Sequence, residues 1–127
     1  MSEHDAKVIV VFSKLELPVQ TYKNLETWIN IDGRDTFMME TYSKQCDIFG
    51  FIPQSFDFAN EKTIEIIVEI FKKNPTLKYI ASQQNENLER VLFCKKSLVD
   101  EDNTGFSVDF KKEQDIISVK GLFTSDG

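Results

Sequence analysis

The stretch DIFGFIPQSFDF, residues 47–58, decides how the fold has to be layered. It holds four phenylalanines in twelve residues, with a glycine and a proline between them. Ile48 and Ile52 alternate with Phe49 and Phe51, so a strand formed here is apolar on both of its faces. Such a strand is normally buried on both faces, as in a sheet that is covered from two sides.

Phe49 and Phe51 have two interpretations, as core residues or as an apolar patch that faces a partner. One face of the strand can pack against a helix, while the other needs a second layer, a loop or another chain. Because a single helix cannot cover so much two-sided apolar strand, a homodimer or a permanent partner would complete the burial. Gly50, between the two rings, predicts a bulge or a close backbone approach.

The residues that follow predict one long amphipathic helix over about residues 60–74. Four apolar residues recur at the spacing of a single helix face: Ile64, Ile67, Val68 and Phe71. Acidic residues, among them Glu65 and Glu69, come early on the other face and lysines come late, as the helix dipole prefers. Asn60 is a suitable N-cap, and Pro75 ends the helix.

The flanking segments predict strands, because they are rich in β-branched and aromatic residues and are bounded by polar turns. Residues 19–29 are ambiguous, since Leu25 and Trp28 fit helical spacing but Pro18 favours a loop or an extended arm. Asp32 and Gly33 form a dipeptide typical of a tight hairpin turn. Such a hairpin would place Trp28 opposite Phe37. The predicted strands lie at residues 7–14, 28–31, 34–40, 76–82, 89–96 (alternatively a helix), 106–112 and 116–123.

The predicted fold is a single α+β domain over residues 1–127, with residues 1–6 as a disordered tail. It consists of a mostly antiparallel sheet of about seven or eight strands, packed by the long helix at about 60–74. A second short helix at about 19–29 is the alternative left open above. The order of elements is also compatible with an OB-like barrel.

The composition narrows the class of partner. The chain has 127 residues, a net charge of -6 and a pI of about 4.8. An acidic protein repels phosphate backbones and anionic lipid and attracts basic surfaces, which argues against nucleic acid or a membrane as the main partner. Two cysteines are too few for a disulfide framework, and the sequence contains no signal-peptide pattern or membrane-spanning run. We therefore expect a soluble, intracellular protein of the cytoplasm.

The chain contains no recognisable set of catalytic side chains. His4 is the only histidine, and it lies in the polar tail, away from any predicted nucleophile. Cys46 lies beside Asp47, whose charge raises a thiol pKa, and Cys94 lies in an apolar run. Both cysteines are therefore interpreted as packed, inert thiols.

Metal and cofactor motifs are also missing from the sequence. Three Cys and His residues, widely separated, cannot supply the four ligands of a structural zinc site. DEDNTG at residues 100–105 resembles the start of a calcium loop, but Lys111 stands where the final glutamate belongs, so an acidic turn is the better interpretation. The isolated glycines form no phosphate-binding loop. No cofactor is predicted.

The sequence therefore favours a non-catalytic protein-binding module. This would be a small acidic subunit, adaptor or inhibitor, like an immunity protein against a nuclease toxin, that binds its partner stoichiometrically. The alternatives are an OB-like subunit of a nucleic-acid complex and a small carboxylate-dependent enzyme. The nucleic-acid alternative would use Trp28, Phe37 and the lysine pairs 72–73, 95–96 and 111–112. The predicted partner-binding residues are Asp100, Glu101, Asp102, Glu65, Glu69, Phe49 and Phe51.

Overall fold

A computed structural model describes residues 6–16, 18–29, 46–83, 86, 89–99, 116–118 and 121–125. The strands are β1 Val8–Phe12, β2 Leu25–Ile29, β3 Ile48–Ile52, β4 Phe56–Phe58, β5 Tyr79–Ala81, β6 Leu92–Lys95, β7 Ile116–Ser118 and β8 Phe123–Ser125. The helices are α1 Thr63–Lys73 and the short α2 Lys96–Val99. The α+β class is confirmed.

The larger sheet has six strands in the order β2-β1-β3-β6-β5-β7, and β4 pairs with β8 in a separate two-stranded sheet. The prediction of a mostly antiparallel sheet is wrong, because β1 pairs in parallel with both β2 and β3, and β5 with β7. Only β3–β6 and β5–β6 are antiparallel pairs of this sheet. The sequence of β1 indicated parallel pairing, because an unbroken apolar run such as VIVVF is typical of a central parallel strand. In the structure this run is completely buried.

The alternative helix at residues 19–29 is also wrong. Residues 25–29 form β2, which lies parallel to β1, and the residues just before it are irregular. Leu25 and Trp28, which fit helical spacing, instead point to opposite faces of the sheet. Leu25 packs against the larger core and Trp28 against the smaller one. Pairing with β1 therefore makes residues 25–29 a strand, although the spacing of their apolar residues is also compatible with a helix.

The centre of the larger sheet is buried on both faces, and β3 shows this most directly. Its residues Ile48 and Ile52 belong to the larger core, which α1 covers. Phe49 packs on the opposite face with Ile9 and Val11 in a smaller cluster. Both alternations of the strand are thus buried, as the sequence predicts, although Phe51 is only half-buried.

Helix α1 is shorter than predicted and begins at Thr63. Asn60 is not its N-cap: its side-chain oxygen accepts a hydrogen bond from the Lys62 N–H at 2.8 Å, which makes a turn before the helix. At the other end the Asn74 N–H bonds to the Phe71 carbonyl, and the helix stops. The buried stripe of four apolar residues is the one that the sequence predicts.

The described strands do not form an OB-like barrel. The larger sheet has two ends, β2 and β7, and α1 packs on one of its faces. Residues 89–96, left open between helix and strand, contain the strand β6 at Leu92–Lys95, and Lys96 begins the short helix α2. The hairpin at Asp32, the partner ring Phe37 and the strand at 106–112 lie outside the described residues, as does most of the predicted tail.

Candidate functional site

Two predicted partner-binding acids, Glu65 and Glu69, lie one turn apart on the outer side of α1. Glu69 is exposed, whereas Glu65 is half-buried, and its carboxylate accepts a hydrogen bond from the Thr21 hydroxyl at 2.6 Å. Glu65 thus holds the loop between β1 and β2 to the helix, and it also contributes a negative charge. The other predicted acids, Asp100, Glu101 and Asp102, lie outside the described residues.

Phe49 and Phe51 lie on a different surface from these acids. They belong to the sheet face that points away from α1. Phe49 is completely buried within its own chain and Phe51 is half-buried. The structure therefore does not bring the two phenylalanines together with Glu65 and Glu69, and the burial of Phe49 favours its interpretation as a core residue.

The outer helix face, defined as Lys62, Glu65, Ile66, Glu69 and Lys73, combines charge with one exposed aliphatic side chain. Ile66 is 38% exposed although it lies in a helix whose other isoleucines are buried or half-buried. Glu61, in the turn before the helix, is exposed as well. An apolar side chain set among two carboxylates and two lysines is the arrangement found where a polar rim surrounds a contact centre.

The loop between β1 and β2 carries the most exposed large hydrophobic side chains of the described chain. Leu15 is 72% exposed and Val19 is 79% exposed. Neither residue is predicted from the sequence as a site residue, because LELPVQ has neither a strand nor a helix pattern. The sequence feature that could have identified them is the presence of aliphatic residues beside Pro18, in a segment that forms neither a helix nor a strand.

The C-terminal end of this loop is fixed to the start of α1 by hydrogen bonds. The Gln20 side-chain oxygen accepts from the Ile64 N–H at 2.9 Å, and its side-chain nitrogen donates to the Asn60 carbonyl at 2.7 Å. The Thr21 N–H donates to the Glu61 carbonyl at 2.8 Å. Gln20 therefore supplies, from a distant loop, the cap that no side chain at Lys62 provides.

The N-terminal end of the loop is fixed to the sheet. The Ser13 N–H donates to the Ile52 carbonyl at 3.2 Å, and the Lys14 ammonium lies 3.4 Å from the Asp57 carboxylate. Beyond the cap, the Tyr22 hydroxyl donates to the Ala6 carbonyl. The loop that exposes Leu15 and Val19 is thus anchored on both sides.

Replacing Gln20 by alanine is expected to lower the free energy of unfolding by about 1 kcal/mol, the usual effect of losing a helix cap. The control is Lys23→Ala, an exposed position in the same connection, which should change it by less than about 0.5 kcal/mol. Urea titration followed by circular dichroism measures both variants. Equal stability of the two variants would contradict the capping role.

The two cysteines are buried thiols, as the sequence predicts. Burial, assisted by the nearby Asp47 carboxylate and opposed by Lys96, raises the pKa of Cys46 to about 11 from an ordinary value of 9.0. Burial also raises the pKa of Cys94, which is completely inaccessible. Because the thiolate is the reactive form, neither thiol is suited to act as a nucleophile at neutral pH.

These thiols predict a loss of stability in alkaline solution. The folded chain holds the Cys46 proton more tightly than the unfolded chain does, so this contribution is complete below pH 9 and is lost as the pH rises towards 11. Stability measured across that window should fall less steeply for Cys46→Ala than for the wild type. Tyrosine and lysine titration is common to both proteins and cancels in the comparison. Identical slopes would show that Cys46 is not buried as described.

Lysines gather at the opposite end of α1, around its C-terminal turn. Lys72 and Lys73 are exposed in the last helical turn. The Lys95 ammonium donates to the Pro75 carbonyl at 3.3 Å, and the Lys95 N–H donates to the Lys78 carbonyl at 2.9 Å. Lys72, Lys73 and Lys95 thus form one basic end, which also complements the negative end of the helix dipole, whereas Lys96, the other member of the last pair, lies near Cys46 and Asp47.

Charge is unevenly divided along the chain. The described residues contain nine Asp and Glu against ten Lys and Arg, although the whole chain contains 21 and 15. The net charge of -6 therefore comes from the remaining sequence, which includes Asp100, Glu101 and Asp102. Within the described part, the acids of α1 are the ones that lie together on an element of regular structure.

Among the described residues, no group of three or more His, Cys, Asp or Glu side chains could hold a metal ion. In the same part of the chain, no helix is long and apolar enough to cross a membrane. Comparison with protein-family models, curated proteins and solved structures gives no match.

Proposed function

We propose that this protein is a non-catalytic binding module that associates stoichiometrically with a basic protein partner, as a small acidic subunit, adaptor or inhibitor. An inhibitor of a basic enzyme, such as an immunity protein against a nuclease toxin, is one form that this function takes. The observation that carries the proposal is the outer helix face, where Glu65 and Glu69 flank the exposed Ile66.

The outer helix face is presented rigidly, because the opposite face of α1 is fixed in the core. Ile64 and Ile67 are completely buried, and Val68 and Phe71 are nearly so. A partner that binds this face therefore meets side chains whose backbone is already ordered. Little conformational entropy is then lost on association, which favours recognition by a preformed surface.

The charge of the chain favours basic proteins as partners. Carboxylates on the outer helix face would meet lysines and arginines of the partner, and the net charge of -6 attracts such a surface from a distance. Long-range attraction of this kind increases the association rate and weakens as salt screens it. The contact around Ile66 is apolar and is much less sensitive to salt.

The first experiment is a pull-down with the tagged chain from a lysate of its source cells, washed at low and at high salt. The proposal predicts a basic protein that is retained in equimolar amount at low salt and is depleted at high salt. Mass spectrometry identifies it and gives its composition. Recovery of the tagged chain alone, or only of other copies of this chain, would contradict the proposal.

The basic end of α1 supports a second candidate function, binding of single-stranded nucleic acid. Lys72, Lys73 and Lys95 could follow a phosphate backbone there. Trp28, the ring proposed for base stacking, is half-buried, and its indole N–H donates to the Glu26 carboxylate at 2.5 Å. A fluorescent oligonucleotide at low salt tests this candidate, and an unchanged anisotropy at high protein concentration would contradict it.

A further inference from the structure

We propose that residues 18–29 form a releasable segment, which opens away from β1 and α1 as a unit while the rest of the fold stays intact. The segment consists of β2 and the irregular stretch just before it. This inference goes beyond the proposed function, because it assigns a conformational change to the fold and needs no partner.

The shallow burial of the segment is the first step of the argument. None of its twelve residues is fully buried: seven are half-buried and five are exposed. The two strands that follow β2 in the sheet order differ from it, since β1 is completely buried and β3 has a single half-buried residue. Regions that bury few apolar side chains open at a lower free-energy cost than the core does. The segment is therefore expected to open before β1 and β3 separate.

The place of β2 in the sheet is the second step. It lies at one end of the strand order, and β1 is its only hydrogen-bonded neighbour among the described strands. Tyr22 and Leu25 are partly buried at the margin of the larger core, and Trp28 is partly buried at the margin of the smaller one. Opening therefore breaks one set of strand pairs and removes no side chain from the interior of either core.

The third step is the small number of polar contacts that hold the segment to α1. We define the latch as Gln20 and Thr21. The Gln20 side chain accepts a hydrogen bond from the Ile64 N–H at 2.9 Å and donates one to the Asn60 carbonyl at 2.7 Å. The Thr21 hydroxyl donates to the Glu65 carboxylate at 2.6 Å. Because Gln20 is half-buried and Thr21 is exposed, water can replace these bonds, and each one stabilises the closed state only modestly.

Two further contacts hold the segment to the start of β1. The Tyr22 hydroxyl donates to the Ala6 carbonyl, and the Lys7 ammonium lies 3.4 Å from the Glu26 carboxylate. Both members of this ion pair are more than one-third exposed, so the pair stabilises the closed segment little. These contacts can break without disturbing the packing between α1 and the sheet.

Opening of the segment also changes the first turns of α1. Release of Thr21 frees the Glu65 carboxylate on the outer helix face, and release of Gln20 removes the cap from the Ile64 N–H. The latch therefore connects the docking of β2 to the charge that α1 presents at its outer face. One opening event affects both the end of the sheet and the start of the helix.

Hydrogen–deuterium exchange of the full chain, measured by NMR over a range of low urea concentrations, tests this inference. We expect the amides that join β2 to β1 to be protected but to exchange at least about tenfold faster than the hydrogen-bonded amides of β3. Their urea dependence should be weaker, because less surface is exposed by opening than by unfolding. Equal rates and equal urea dependence in the two strands would overturn the inference. So would β2 amides that exchange as in an unfolded peptide, since the segment would then have no closed state.

The variant Ile67→Val separates opening of the segment from unfolding of the whole chain. Ile67 is completely buried in the larger core, which stays packed when the segment opens. The substitution should therefore speed exchange in β3 roughly two- to tenfold and leave exchange in β2 unchanged. An equal increase in both strands would mean that β2 exchanges only by global unfolding, which would overturn the inference.

The variant Thr21→Val tests the latch, because it removes the hydroxyl that binds Glu65 and keeps the shape of the side chain. It should speed exchange in β2 about fivefold, the effect of losing one hydrogen bond. Lys23→Ala, at an exposed position of the same segment, is the control and should exchange as the wild type does. If Thr21→Val exchanged in β2 no faster than this control, the latch would be overturned.

Discussion

Replacing Gly50 by alanine is expected to lower the free energy of unfolding by about 1–3 kcal/mol, the usual range for overpacking a core. Gly50 lies opposite Phe93 in the pairing of β3 with β6. A β-carbon at Gly50 would lie 2.4 Å from one ring carbon of Phe93 and 2.6 and 2.7 Å from two others. The ring has little room to move, because Phe93 is completely buried and stacks on Phe123 at 6.0 Å.

A double-mutant cycle measures this close approach. Phe93→Leu removes ring atoms that the new methyl group would meet, so the loss caused by Gly50→Ala should be smaller in the Phe93→Leu background than in the wild type. Guanidinium unfolding of the four proteins gives the coupling. Additive losses, or a single Gly50→Ala variant as stable as the wild type, would show that the glycine is not required by the ring.

Replacing Ile67 by alanine is expected to lower the free energy of unfolding by about 2–5 kcal/mol, whereas Ile66→Ala should lower it by less than about 1 kcal/mol. The two residues are neighbours in α1 and undergo the same chemical change. Ile67 is completely buried in the core between α1 and the sheet, and Ile66 is 38% exposed. Removing the Ile67 side chain therefore leaves a cavity, which removing that of Ile66 does not.

Urea unfolding of both variants under the same conditions checks this difference. Because helix propensity changes equally at the two positions, the difference reports burial alone. The expected result is a much lower midpoint for Ile67→Ala than for Ile66→Ala. Equal midpoints, or the reverse order, would mean that α1 packs on the sheet with another face.

The helix and the two-faced strand could be predicted because their signals are local. The buried stripe of α1 follows from residue spacing within eleven residues, and burial of β3 on both faces follows from five. Gly50 was expected to mark a bulge or a close approach. The close approach is confirmed by the Phe93 ring, although the sequence could not identify which side chain lies there.

Strand pairing could not be predicted, since it depends on residues far apart in the chain. The spacing of Leu25 and Trp28 fits a helix, but these residues form a strand because they pair in parallel with β1. The Asn60 cap failed for a related reason, because Gln20, about forty residues earlier, takes the capping position. The Asn60 side chain does accept a backbone hydrogen bond, as a cap would, but the donor is the Lys62 N–H and the bond forms a turn before the helix.

The candidate site was predicted in part. Glu65 and Glu69 were selected as outer helix acids, and the structure places them there, but the bond from Thr21 to Glu65 was not expected. Leu15 and Val19 were missed because exposure of a hydrophobic residue in an irregular loop has no periodic signature. Their exposure is visible only in the structure.

The most direct test of recognition of a basic protein through the carboxylates of the outer helix face is the association rate of the partner recovered in the pull-down. The wild type, Glu69→Lys and Glu86→Lys are compared over a range of salt concentrations, since both positions are exposed and both changes alter the net charge equally. The proposal predicts that Glu69→Lys associates about tenfold more slowly at low salt. It also predicts that this difference shrinks as salt rises and that Glu86→Lys stays close to the wild type. Equal rates for the two variants at every salt concentration would contradict recognition through the outer helix face.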